Sequence, residues 1–327
     1  LAASVRLNRM ATYAIRRLLW VIPVLWAVAT LTFFLMHAVP GGPFTQDKKL
    51  PDSVNAALNR RYHFDEPLYK QYGYYLWNAS HGDLGLSVKG DHEVTEVIRR
   101  TWFVTFQLGA LGLIAAAVVG MVLGTLSALN HNGPLDYLGV AFATVGASVP
   151  SFIMGSFLVI FFAINLSWFK VLGWGGPLQV SDIFDSSVYD WRKVVIPVIS
   201  ISALPAAFIA RVTRASVLEV LNQDYIRTAR AKGLAEQRVV LRHTLKNAMI
   251  PVLTVMGPLA VNLVTGSFIV ETMFSIPGVG RESINAVTAR DYNTIMGTTL
   301  FYALVVTSAS LLVDLAYAVV DPRIRYR

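Results

Sequence analysis

Apolar residues along this chain gather into six runs, at 18–39, 102–129, 137–164, 194–217, 250–270 and 296–320, separated by segments where charge returns. A hydrocarbon layer takes about 20 residues of helix to cross, and lipid offers the backbone no hydrogen-bond partner. Each run therefore predicts a transmembrane helix, and the chain an all-α integral membrane protein. Pro197, Pro205, Pro251 and Pro258 interrupt the fourth and fifth runs, as packed neighbouring helices allow. Arg16 and Arg17 precede the first run, which is too long for a signal peptide and lacks a small-residue cleavage site, so it reads as a retained anchor. Between the first and second runs, residues 40–101 carry Tyr62, Tyr69, Tyr72, Tyr74, Tyr75 and Trp77 among charges and glycines. Such a segment is too small for a strong core of its own and predicts a small extracytoplasmic insert leaning on the helices, its aromatics forming an interfacial belt.

Composition agrees with this reading, at 54% hydrophobic, 15% charged and a mean hydropathy of +0.52. Charge supplies the orientation. With residues 1–17 inside, Lys and Arg concentrate before the first run, between Arg211 and Lys246, and at Arg323, Arg325 and Arg327, so the inner side carries the whole formal excess of +8. This places both termini, including 321–327, in the cytoplasm. The basic balance thus reflects topology and anionic lipid, and does not point to nucleic acid. Without cysteine, the chain has neither disulfides nor thiolate metal ligands.

Catalytic signatures are missing. No phosphate-binding GxxxxGK[ST] loop, HExxH helix or GxSxG elbow occurs, and Gly278 and Gly280 lack the third glycine of a dinucleotide fingerprint. Scattered histidines such as His81 and His92 read as solvated loop residues, so the chain is expected to hold no catalytic residue, metal or cofactor. A polytopic membrane enzyme using the acids and histidines of the outer insert is the rival class.

The most informative polar segment is QDYIRTARAKGLAEQRVVLRHTLKNAMIP, from Gln223 to Pro251, set between two apolar runs. Gly233 is placed to close one helix in a left-handed conformation. Beyond it, Val239, Val240, Leu241, Leu245, Ala248 and Met249 form an apolar stripe, with Arg238, Arg242 and Lys246 on another face. Two short helices around a glycine corner are expected, one face on the bundle and one on a cytosolic partner. A headgroup-binding surface helix is the plainer alternative, and a DNA-reading helix-turn-helix does not suit a loop tethered between two spans.

This segment resembles the cytoplasmic loop of ABC importer permeases, in the variant of the peptide and nickel importers. Similar passages run through the chain: MHAVPGGPF, GDLGLSV at Gly82, ASVPSF at Ala147, RVTRASVLEVL at Arg211, VETMFSIPGVGR at Val270 and LLVDLAYAVVDPRIRY at Leu311. The long insert is similar to that of the first, B-type permease. The resemblance implies a type I ABC importer transmembrane fold over 102–320. It implies a second, C-type permease, two ATPase subunits that hold ATP and Mg, and an extracytoplasmic substrate-binding protein. Within the loop 218–249 it implies a coupling helix, with Asp224, Tyr225, Arg227, Thr228, Ala229, Arg230, Ala231, Lys232, Gly233 and Leu234 at the ATPase contact. Di- or oligopeptides are the implied substrate, and nickel, glutathione and haem the alternatives.

Polar groups at membrane depth are costly unless they face a cavity or a partner. Asn262, Thr265, Ser267 and Glu271 are on that ground the candidate pathway residues, with Asp314 the other intramembrane acid. Gly120 with Gly124, and Ala143 with Ala147, read as helix-packing positions.

Overall fold

The computed structural model describes residues 2–39, 60, 64–88, 90, 92 and onward to 320, with side chains from 15 to 317. Tyr62, most of the MHAVPGGPF passage, Asp91 and the terminus 321–327 lie outside the described residues. The described residues are mostly helical, joined by turns and loops, and hold no strand beyond one isolated bridge between Leu86 and Glu93. In chain order the helices are α1 Ala2–Ala38, α2 Leu68–Ser80, α3 Val94–Leu129, α4 Pro134–Ser148, α5 Ser151–Leu158, α6 Trp191–Leu221, α7 Asp224–Ala231, α8 Leu245–Val264, α9 Phe268–Met273, α10 Val279–Ala289 and α11 Tyr292–Val320.

Among the described residues five helices are long and apolar enough to cross a membrane, and the count reaches six if a bent pair is taken as one span. That pair is the expected third span, 137–164. It consists of α4 and then α5 with its wide-turn continuation to Asn165, bent by 111°. Pro150 explains the bend. A residue before proline is driven out of the helical region, and Val149 lies at φ −96°, ψ 119°, so α4 ends and Pro150 starts α5 in a new direction. The fifth run also differs from expectation, since α8 ends at Val264 and Gly266 takes φ +78°. Ser267 then caps α9 by accepting from the Val270 amide at 3.3 Å.

Two compact units make up the chain. One comprises the described residues of Leu1–Phe103 with Pro277–Ala318. Here α2 of the insert leans on α1: the hydroxyls of Thr30 and Tyr72 lie 2.6 Å apart, and Phe33 packs against Tyr72 and Tyr75. The aromatics assigned to a belt therefore divide, Tyr72 and Tyr75 being packed while Tyr69 and Trp77 are exposed. The GDLGLSV passage turns at Gly82 and Gly85, both at φ +81°. It ends on Asp291 beside the start of α11: the buried carboxylate accepts from Ser87 Oγ, the Val88 amide and Thr294 Oγ1.

The second unit is Val104–Ile276. Its centre is α6, which packs along α4, α5 and α8 and has 67% of its most apolar window buried. Pro197 and Pro205 lie inside α6 without breaking it, both buried among these neighbours. Gly120 and Gly124 allow α3 to close on α6. A Cβ at Gly120 would lie 2.7 Å from Cβ of Ile209, and one at Gly124 2.7 Å from Cβ of Thr213, so neither position accepts a side chain.

Candidate coupling corner and pathway residues

Helix α6 ends at Leu221, and after Asn222 the chain restarts at Gln223 in extended backbone as the eight-residue α7. Its amphipathic pattern has a single inward face. Ile226, at 0% exposure, and Ala229, at 7%, pack with Val239, Val220 and Leu234. Asp224, Tyr225, Arg227, Thr228, Arg230, Ala231, Lys232 and Gly233 are exposed, and Leu234 is half-buried. Ala229 thus belongs to the bundle side and not to the open surface, while Ile226, unremarked as a site residue in the sequence, is the anchor. Its signal was present: an isoleucine three residues before Ala229 shares that face of a helix.

Gly233 adopts φ +75°, and nothing lies within 4 Å of where its Cβ would be. The backbone conformation, and not crowding, asks for glycine there. After this corner the expected second short helix is the beginning of a long one. Residues Glu236–Arg238, a wide turn over Val239–Thr244 and α8 run on as one 29-residue rod to Val264. The wide turn rotates Val239, Val240 and Thr244 inward together, which leaves Leu241 62% exposed and outside the predicted apolar stripe. Arg238, Arg242 and Lys246 are exposed, as that stripe requires.

Polar contacts fix the corner to both adjoining helices. Arg230 donates from Nε and Nη2 to the two carboxylate oxygens of Glu236, at 3.1 and 2.6 Å; this hydrogen bonding raises the Arg230 pKa further above its ordinary value, so its charge is permanent. Asn247 donates to the Tyr225 hydroxyl at 3.0 Å, and Ser216 of α6 donates to the Ala248 carbonyl at 2.9 Å.

A second cluster sits where α3 turns into α4. Asp136 is 3% exposed and accepts from Arg214 Nε at 2.6 Å and Nη2 at 2.7 Å, from Ser127 Oγ at 2.5 Å and from the Asn132 amide at 2.9 Å. It bolts the α3–α4 turn to α6, ten residues before α7. The pair is not legible in the sequence, because Asp136 and Arg214 are 78 positions apart, the first between the second and third runs and the second inside the fourth.

The candidate pathway residues differ in exposure. Asn262 is exposed, and its carbonyl accepts from Thr265 Oγ1 at 2.8 Å. Ser267 is spent on capping α9. Glu271 is 0% exposed and takes a hydrogen bond from Thr105 at 3.3 Å, a buried position and not an open one at the membrane boundary. Asp314 forms an ion pair with Arg17 of α1. Among the described residues no group of three His, Asp or Glu side chains is placed to hold a metal.

The chain belongs to the family described as "Binding-protein-dependent transport system inner membrane component", whose model matches residues 120–326. It is 40% identical over 97% of its length, and 98% of the relative's, to the dipeptide transport system permease protein DppB of Bacillus subtilis. It is 39% identical over 97% of its length, and all of the relative's, to the oligopeptide transport system permease protein OppB of Haemophilus influenzae. The OppB of Escherichia coli K12 is 38% identical over 97% of this chain and 100% of its own. Among solved structures, an amino acid ABC transporter aligns with TM-score 0.51 and 15% identity over 68% of this chain and 94% of that one. An inward-facing MetNI methionine ABC transporter aligns with TM-score 0.52 and 17% identity over the same shares. These two likenesses carry the type I importer fold alone.

Proposed function

We propose that this chain is the first permease subunit of an ATP-driven importer of di- or oligopeptides. It would contribute half of a translocation pathway in the bacterial inner membrane, both termini in the cytoplasm, 40–101 an extracytoplasmic insert, 218–249 the coupling loop and 102–320 the transport domain. The observation that carries the reading is the near-full-length identity to dipeptide and oligopeptide permeases, joined to the exposed corner of α7 and Gly233. Partners are a second permease, two ATPase subunits that bind ATP and Mg, and a binding protein that delivers peptide.

The geometry supports a lever. α7 rests on α6 and on the start of the 236–264 rod through Ile226, Ala229 and Val239, so displacement of α7 by an ATPase groove moves both helices together. Thr228, Ala231 and Gly233 present a low-relief surface that permits close approach, with Arg227 and Lys232 at its rim. Exposed ion pairs contribute only about 0–1 kcal/mol each, so shape governs the contact more than charge. In this reading Asn262, Thr265 and Ser267 line the pathway at the break between α8 and α9, and Glu271 holds that break from behind.

The test is reconstitution of the chain with its second permease, both ATPases and binding protein in liposomes, with uptake of labelled peptides measured against ATP turnover. Peptide-stimulated hydrolysis coupled to uptake is the expected result. Uptake of nickel, glutathione or haem in preference to peptides would overturn the substrate, and undiminished uptake by Thr228→Trp would overturn the lever.

A further inference from the structure

A groove of about 220 Å³ runs between α3, α4 and α6, lined by Leu123, Gly139, Val140, Ala143, Arg211 and Arg214 among others. Its polar groups are nearly all committed. Arg214 is held by Asp136, Ser127 donates to Asp136, and Thr144 donates to the Val140 carbonyl at 2.8 Å. What remains is the guanidinium of Arg211, one helical turn deeper in α6 than Arg214, exposed and, among the described residues, without an acceptor. An arginine at that depth needs an anion or a snorkelling route to one. The rim is apolar and open: Leu138 is 66% and Val140 45% exposed, and Tyr137, at 70%, stands at the end of α4 where interfacial tyrosines collect.

We propose that this groove binds an anionic phospholipid of the cytoplasmic leaflet, its phosphate on Arg211 and one acyl chain along Leu123, Val140 and Ala143. The leaflet follows from the orientation proposed above; the chemistry of the site does not. A guanidinium suits a phosphate through two parallel N–H···O bonds, and basic pockets between spans on the cytoplasmic side are suited to such headgroups. A peptide fits less well, because the lining is mostly apolar and its few polar side chains besides Arg211 are engaged with one another or with backbone, leaving little to receive a run of backbone amides.

The experiment uses the complete importer in nanodiscs of phosphatidylcholine alone or with phosphatidylglycerol, and counts retained lipid by native mass spectrometry. Wild type is expected to retain phosphatidylglycerol in preference to phosphatidylcholine. Arg211→Gln should weaken that retention about fivefold, the worth of one basic side chain at such a surface. Val140→Trp, which fills the groove at an exposed position and leaves the arginine intact, should displace the lipid as well. Equal phosphatidylglycerol retention by wild type and both variants would overturn the proposal. So would an Arg211→Gln defect in peptide KM of the same size in phosphatidylcholine alone, which would move Arg211 into the pathway. Because the lipid count needs no transported substrate, its failure is separable from failure of the peptide assignment.

Discussion

At the scale of single residues, the corner separates substitutions that test the partner contact from those that test the fold. Thr228 and Ala231 point away from the bundle, so Thr228→Trp or Ala231→Trp should leave the thermal stability of the purified complex unchanged while uptake collapses and ATP turnover loses its response to peptide. Ile226 is fully buried, and Ile226→Ala should cost the corner about 2–5 kcal/mol, visible as proteolysis within 223–240 of detergent-solubilised complex. Ala229→Trp belongs with Ile226→Ala, because its side chain would enter the packed cluster. The sequence offered every position of 224–234 except Ile226 as one contact set, with no division between inward and outward members. Which of its members faces outward depends on the helix phase relative to Val239, and that phase comes from a wide turn no periodicity announces. Gly233 was legible, since a glycine at a helix end has few other uses, and its φ of +75° makes Gly233→Ala cost about 1–2 kcal/mol through backbone strain alone. Gly233→Asn should recover part of that loss, measured by thermal inactivation of the complex.

Breaks in the long apolar runs matter most at the scale of elements, and there hydropathy is silent. Run 137–164 is continuously apolar, yet Val149 and Pro150 turn it by 111°; run 250–270 hides the stop at Gly266. The two positive-φ glycines, 233 and 266, differ in surroundings. A Cβ at Gly233 meets open space, whereas one at Gly266 would meet Glu271 Oε1 and the Thr105 methyl. Gly266→Ala is therefore expected to be the more damaging of the two, with assembled complex falling at the membrane-extraction step while Gly233→Ala still assembles. Asp136 poses an electrostatic question between elements. Breaking one side of a buried pair costs about 3–5 kcal/mol, reduced here because the Arg214 side chain is 27% exposed. Asp136→Asn should accordingly loosen the α3–α4 turn from α6, raising hydrogen exchange over 127–137 while 223–234 stays protected. Loss of protection across α7 as well would show that the two clusters form one cooperative unit.

Across the whole molecule, the distribution of burial argues that this chain does not stand alone even in lipid. Two thirds of the apolar window of α6 is buried, against 11% for α1, 17% for the 236–264 rod and none for α11. Lipid satisfies such faces as readily as protein does, because without water no hydrophobic drive distinguishes them; what lipid does not supply is a partner for polar groups among them. On the 236–264 rod the exposed side includes Asn262 as well as Ile250 and Leu253, while the Thr254 hydroxyl on the same side is held by the Ile250 carbonyl. An exposed stripe with Asn262 at one end suits a second subunit or a water-filled path between subunits. Expressed without its second permease, the chain should be degraded faster than the assembled pair, and co-expression should restore its half-life. The restored complex should also shield Asn262 in part: Asn262→Cys is expected to react with a membrane-impermeant thiol reagent only when nucleotide or binding protein opens the pathway. Absence of labelling in every state, in the lone chain and in the assembled complex alike, would place the stripe against lipid and remove α8 from the pathway.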